Sequence, residues 1–486
     1  MNLPEKYPQE PKHLWEQFFN FSQIPRPSKK ELKILDYLKN LAVAQKLEYK
    51  QDKEGNIVIY VPGRGANKDK SPVIIQNHVD MVTDSLATKQ INFETDPIEL
   101  IVEKDWLRAD GTTLGADNGI GCAAALGMIF ETDGNHPPLE LLFTVDEETG
   151  LNGALNLDSN MLSGTRMLNL DTEEWGSIYM GCAGGIDYEL TGQIPKQMDL
   201  NPLINVKVDV HAFSGGHSGV DIHEQKGNAI KYLSQLLNRA YKHFEFNLVE
   251  IRGGRAHNII PREAFAIIGM NEQNLEKLSI IAQELRSEWL GFLPEKDRSF
   301  VVNVEAQDVS SAHYLSSEKT KDICELLNLF PHGVHSYQDT KQNLVSCSNN
   351  LARVLLVRGE FYLQSSLRFL DRNEVKKLEE IIQILGDKCS LKVESHSEYP
   401  SWKPNLNSNL LGLAKTVYQD CFDEIPRVTA IHAGLECGII KDRLGEKIDV
   451  ISFGPTITGA HSPDERVHIP SVTHFWKYLK ALLKEM

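Results

Sequence analysis

SPVIIQNHVD (residues 71–80), LELLFTVDEE (139–148), RMLNLD (166–171) and KIDVISFGP (447–455) share one pattern, an apolar run that ends in a polar cluster. Near-continuous apolar runs of this length suit strands buried on both faces. Between the first two lies NGIGCAAALGMIFET (118–132), apolar nearly all round, which predicts a helix buried in a large domain. Strands alternating with helices imply an α/β fold with a mostly parallel sheet, and such sheets place ligand sites at the carboxyl ends of their strands. The polar clusters fall at those ends.

The texture changes from about residue 187. INVKVDVHA (204–212) alternates apolar and polar residues, as a strand with one exposed face does. GNAIKYLSQLLNRAYKH then sets Ala229, Ile230, Leu233, Leu236, Leu237 and Tyr241 on one helical stripe, and LEKLSIIAQELRSEWLGF (275–292) repeats the pattern. With strands near 246–252, 264–270 and 299–306 the order is β-α-β-β-α-β. More strands follow near 343–369, then a helix in NEVKKLEEIIQIL and a strand in LKVES. Buried-strand texture returns only at KIDVISFGP, so an α+β domain at 187–395 is expected as an insertion between two parts of a first domain, 1–186 and 396–486.

At 486 residues, two domains are the prior. A formal charge of −16, from 51 basic and 67 acidic residues, argues against nucleic-acid backbone binding, which needs a basic surface. The seven cysteines include no C-x-x-C pair, so neither a disulfide framework nor a cysteine-rich zinc module is expected. No apolar run approaches a bilayer-crossing length, and the N-terminus lacks a basic stretch followed by an apolar core. A cytoplasmic protein with no membrane or nucleic-acid partner is the expectation.

Acidic and imidazole side chains recur at the predicted strand ends, in Asn77-His78-Val79-Asp80, Gly115-Ala116-Asp117-Asn118, Asp146-Glu147-Glu148, Asn169-Leu170-Asp171 and Gly459-Ala460-His461-Ser462. Two imidazoles with several carboxylates and no thiolate suit zinc, manganese or cobalt. Each cluster alone reads more readily as an ordinary loop. Together, on one edge of one sheet, they offer a site for two divalent ions roughly 3.5 to 4 Å apart.

QNHVDMV, TTLGADNGIG, TVDEETGLNGA, NLDTEEWG, SGGHSG, GGRAHNIIP, EYPSWKP, IHAGLECG and GAHSPDERV, spread over nearly the whole chain, resemble the co-catalytic zinc peptidase family of aminoacylases, carboxypeptidases and dipeptidases. They are most similar to its aminoacyl-histidine dipeptidase branch. The resemblance implies that His78 and Asp171 hold one metal, Glu148 and His461 the other, and that Asp117 bridges them. Asp80, two residues beyond His78 on an extended strand, projects to the same side and is placed to accept the other imidazole N–H. Adjacent Glu147 and Glu148 diverge at a strand end, leaving one free to take a proton from water; the resemblance gives that role to Glu147. The expected reaction is hydrolysis of the peptide bond of dipeptides with a free amino end, including those ending in histidine.

In the expected insertion, Ser214-Gly215-Gly216-His217-Ser218-Gly219 puts a histidine on a glycine-rich loop, where it suits donation to a developing oxyanion. The resemblance adds Asn258 to the substrate-binding set and expects a carboxylate-gripping arginine in this domain. Gln364 stands at the expected position, and Arg368, four residues on and on the same face of a regular strand, is the replacement. His432 and Glu436 carry no assigned role. Relatives pair through this domain, so a homodimer is expected, with His217 serving the neighbouring subunit's site. Three rival readings stand beside this one: an N-acyl amino acid hydrolase or tripeptidase of the same family, a peptide-binding scaffold, and a nicotinamide dehydrogenase. The last rests on Gly119-Ile120-Gly121-Cys122-Ala123-Ala124, which fits a phosphate-loop pattern but follows a polar stretch instead of a buried strand.

Overall fold

Every residue of Val73–His78 and of Leu139–Thr144 is buried, as continuous apolar runs require of strands covered on both faces. The computed structural model describes residues 4–132, 134–198, 203–307, 313–339, 344–445 and 447–486. They form two compact units, one of Met1–Cys182, Trp402–Ala430 and Leu435–Met486, the other of Ala183–Ser401 and Ile431–Gly434. No helix among the described residues is long and apolar enough to cross a membrane.

The first unit is built on an eight-stranded sheet, ordered Glu48–Gln51, Ile57–Val61, Leu139–Thr144, Val73–His78, Arg166–Asn169, Asp449–Ser452, Ser177–Cys182, Arg427–Ile431. The sheet is mixed, which corrects the expectation of a mostly parallel one. Its central pairings are parallel, with Ile75 in register with Leu141 on one side and Leu168 on the other, and Ile451 beside Leu168. The pairings of Glu48–Gln51 with Ile57–Val61, of Ile57–Val61 with Leu139–Thr144 and of Asp449–Ser452 with Ser177–Cys182 are antiparallel. The physical reason is local at one edge: Asp52 Oδ1 accepts the amides of Glu54, Gly55 and Asn56, closing a short turn that only an antiparallel hairpin permits. The helix Ala116–Phe130 is buried almost all round, and its residues join the core beside Trp15, Phe18 and Phe475.

The second unit carries a nine-stranded sheet, in which Val301–Ala306, Ile204–His211, Ala264–Met270, Phe246–Gly253, Leu344–Val357, Glu360–Phe369, Gly184–Gln193 and Lys392–Tyr399 follow one another and Gly333–Asp339 pairs with Leu344–Val357. Among the described residues its neighbouring strands all pair antiparallel. The stripe on Ala229–Tyr241 is buried at Ala229, Ile230, Leu233, Leu236 and Leu237, with Tyr241 half-buried. The helix Ser317–Leu329 lies outside the sequence reading; Ser316 caps it by accepting the Lys319 amide. The region expected as strands from 343 begins outside the described residues and is seen as the hairpin Leu344–Val357 and Glu360–Phe369, turned at Arg358 and Gly359 with both φ positive.

Candidate active site

Central strands of the first sheet end beside one another, and they carry or lead into His78, Glu147, Glu148 and Asp171. Asp117 and His461 instead follow Trp106–Ala109 and Ile457–Thr458 of a separate four-stranded sheet, which corrects the expectation of a single sheet edge. His78 closes its strand and is buried, with Nε2 3.2 Å from Asp117 Oδ1 and 3.2 Å from Asp171 Oδ1. The other oxygen of Asp117 lies 3.2 Å from His461 Nε2, which is also 3.0 Å from Glu148 Oε2. Among the donor groups here are His78 with Asp117 and Asp171, Asp117 with Glu148 and His461, and also His78 with Glu147 and Glu148; the first two answer to the expected ligand set. Those two share Asp117, one oxygen facing each imidazole. His461 is 53% exposed where His78 is 1%, so the cluster runs from the interior outward.

Asp80 does more than the sequence suggested. Its Oδ1 lies 3.4 Å from His78 Nδ1, and its two oxygens accept the amides of Glu147 (3.0 Å) and Glu148 (3.2 Å), with the Ser28 hydroxyl as a further donor at 2.7 Å. One carboxylate thus lies beside an imidazole and fixes the turn that presents both glutamates. Asn118 donates to Asp171 Oδ1 (2.5 Å) and to Leu170 O, tying the Asp117 segment to the Asp171 loop. Asp117 (φ −80°, ψ 114°) and Asn118 (φ −100°, ψ 32°) depart from helical geometry, and their peptide is cis.

The electrostatics follow from burying like charges together. Burial pushes Asp171 up to about 6. Burial opposes ionisation of Asp117 as well, but hydrogen bonds from His461 and His78 outweigh it and hold that carboxylate well below its ordinary range. Contact with Asp117 and Glu148 raises His461 to about 11. Glu147 is held well above the usual carboxylate range by burial and by Glu148, Asp171 and Glu436, against the lowering effect of His78.

Glu436 is completely buried, and its Oε2 accepts from Gln76 Nε2 (2.5 Å) and Thr144 Oγ1 (2.6 Å), so it braces the strands that lead to His78 and Glu147. Burial pushes it up to about 8. Two groups escaped the sequence reading. Glu465, 2% exposed, accepts four successive amides: Leu114 (2.6 Å), Gly115 (2.8 Å), Ala116 (2.7 Å) and Asp117 (3.3 Å). Arg26, also 2% exposed, donates to Val79 O and Asp80 O, both at 2.9 Å, and to Gly115 O. Their partners are main-chain atoms far away in sequence, so the only available signal was an acid four residues beyond His461.

The phosphate-loop reading fails on packing. A Cβ at Gly121 would meet Asn118 Oδ1 at 2.5 Å and Leu170 O at 2.6 Å, and one at Gly119 would meet Arg26 Nη2 at 2.8 Å. These glycines let a helix pack against the site strands.

Within the second unit, His217 Nδ1 accepts the amides of Gly219 (3.2 Å) and Val220 (3.1 Å), which places the neutral ring's proton on Nε2 and makes that atom a donor. His217 pairs in register with Ile259, and Asn258 O accepts the Ser218 amide at 2.8 Å, so His217 and Asn258 share one small ribbon. Arg368 is buried, donates to Tyr399 Oη at 3.1 Å, and sits in register with Ser348, whose hydroxyl lies 2.7 Å from His432 Nε2. A Cβ at Gly219 would fall 3.1 Å from His217 Cε1 and 3.2 Å from Arg368 Cζ, so the bare glycine lets the two come together. Gln364 instead faces Glu189, at 3.4 Å. Burial, then Arg368, pushes His432 down to about 3.

A mixed α/β unit that gathers His78, His461, Asp117, Asp171, Glu147 and Glu148 in one cluster is the framework of a hydrolase. The chain belongs to peptidase family M20/M25/M40, whose model matches residues 74–485. It is 35% identical over 476 residues to the cytosol non-specific dipeptidase of Escherichia coli, covering 98% of each chain. The crystal structure of aminoacylhistidine dipeptidase from Vibrio alginolyticus is similar at a TM-score of 0.87 and 33% identity, over 98% of this chain and 97% of that one. A Staphylococcus aureus tripeptidase shares the fold at a TM-score of 0.56 and 16% identity, over 98% of both chains.

Proposed function

We propose that the protein is a dipeptidase that uses two divalent metal ions, zinc by preference, with His78 and Asp171 holding one, Glu148 and His461 the other, and Asp117 both. The observation that carries this reading is Asp117 presenting one oxygen to each imidazole at 3.2 Å. Glu148 Oε1 adds to the fit, since it is buried and lacks a hydrogen-bond partner among the described residues. The donor set, nitrogen and carboxylate without sulfur, suits zinc, manganese or cobalt. Two such ions supply polarisation of the scissile carbonyl and a lowered pKa for the attacking water.

The residues of this chain perform the remaining steps. Glu147, held by its amide on Asp80, takes the water's proton and passes it to the leaving amine. His217 donates from Nε2 to the oxygen that gains charge, and its tautomer supports that direction. Arg368 grips the substrate carboxylate, Asn258 also binds substrate, and the second unit acts as lid and dimerisation domain of a cytoplasmic homodimer. The names of the relatives favour dipeptides over N-acyl amino acids. A panel of dipeptides, tripeptides and N-acetyl amino acids tests this: dipeptides with a free amino end, including those ending in histidine, are cleaved fastest, and faster cleavage of N-acetyl amino acids overturns it.

His217 serves the partner's site in this reading. Mixed Glu147→Ala and His217→Ala subunits therefore regain activity, because one site of each heterodimer holds both groups. With random pairing, roughly a quarter of wild-type activity is the ceiling if catalytic groups act as a unit. Verified heterodimers as inactive as their parents would place His217 in its own chain's site.

A further inference from the structure

The three loops that carry His78, Asp117 and His461 meet at two buried side chains that the reaction itself does not use. Glu465 lies four residues after His461 and closes with both oxygens on the amides of 114–117: Oε2 on Leu114 and Gly115, Oε1 on Ala116 and Asp117. Arg26 takes the complementary half of the same junction, with its guanidinium on the carbonyls of Val79, Asp80 and Gly115. Between them they satisfy donors and acceptors of a loop that is buried and irregular, where a hydrogen bond left unmade is costly. Gly115 is left-handed (φ +69°), and a Cβ there would collide with Arg26 and lie 2.8 Å from Met81 Sδ, so the loop is shaped around the arginine. The geometry links the ligands rigidly. Asp117 is fixed through its own amide to the segment that bears His461, and Gly115 through Arg26 to the segment that bears His78.

We propose that Glu465 and Arg26 are positioning residues that set the Asp117 loop in its ion-holding shape before any metal arrives. The proposal rests on the reading of His78, Asp117 and His461 as ligands. Three carboxylates must gather around two imidazoles without an ion between them, and a preformed loop removes the cost of ordering Asp117 at the moment of binding. Outer partners of this kind typically control metal affinity by about 10–100-fold.

Two measurements test it. In metal-free wild-type protein, hydrogen exchange at the amides of Leu114, Gly115, Ala116 and Asp117 is as slow as in the metal-loaded protein; protection that appears only after loading overturns the clamp. In Glu465→Gln, which keeps the shape but turns an NH2 group toward two of the amides, calorimetric zinc titration shows affinity weakened by about 10–100-fold. At saturating zinc, kcat is lower and KM for a dipeptide is unchanged. A variant that only melts earlier, with wild-type zinc affinity and kcat once folded, reduces Glu465 to a structural role and overturns the proposal. If Glu465→Gln does not fold, the exchange measurement decides alone. Wild-type protein that takes up fewer than two ions contradicts the ligand assignment, whereas two ions in wild type with normal affinity in Glu465→Gln contradicts the clamp.

Discussion

Glu147→Gln is expected to retain both ions and to lose turnover by about 10²–10⁴-fold, the usual worth of a positioned general acid–base group. The amide that replaces the carboxylate has nearly its shape and the same anchor, since Glu147 is held through its backbone N–H on Asp80. It lacks the ability to accept a proton. Burial and the neighbouring carboxylates hold Glu147 above the usual carboxylate range, and bound cations would oppose that rise. Glu148→Ala is the contrast, because Glu148 Oε2 lies 3.0 Å from His461 and its loss empties one ion position. Metal analysis beside kcat on the two variants separates the roles. Equal metal loss in both would show the assignment to be wrong.

Asp117→Ala is expected to be the most damaging ligand substitution, with both ions lost at concentrations where the wild type holds two. Each of its oxygens serves a different donor group, so a single truncation removes a ligand from both. It also leaves His78 and His461 without the carboxylate that pairs them. The ions are worth several kcal/mol of transition-state stabilisation, so kcat falls by roughly 10³-fold or more. His461→Ala, by contrast, keeps the inner group of His78, Asp117 and Asp171. A finding that Asp117→Ala binds one ion as tightly as wild type contradicts the bridging role.

What the sequence made legible follows from which interactions are local. Runs such as VIIQNH and LELLFT announce buried strands because burial on both faces leaves no place for polar alternation. The clusters that follow them are therefore assigned to one sheet edge; His78, Glu148 and Asp171 do come from that sheet, while Asp117 and His461 join them from a separate four-stranded sheet. Strand direction was less legible. The hairpin closed by Asp52 sets an antiparallel edge, and the DKEGN turn was not weighed against the βα alternation. The helix Ser317–Leu329 went unread although Ser316 is a standard N-cap residue, because SEKTKDICELLNL shows a weaker apolar stripe than Ala229–Tyr241. Glu465 and Arg26 were hard to read because their backbone partners lie far away in sequence, unlike the local partners of Asp52 and Ser316. The same holds for the two amides on Asp80. Gly119 and Gly121 misled for the opposite reason, because a short glycine spacing has many causes and only the atoms around it distinguish a phosphate cradle from tight helix packing.

The central claim, that two metal ions held by these five ligands carry dipeptide hydrolysis, is tested most directly by titrating zinc into thoroughly metal-free protein while following cleavage of a dipeptide ending in histidine. Chelated protein is expected to be inactive, because imidazole and carboxylate ligands bind metal only when deprotonated and folded into place. Activity then rises with added zinc and levels off as the second ion per chain is bound. Full hydrolysis by the metal-free protein, before any zinc is added, would contradict the account.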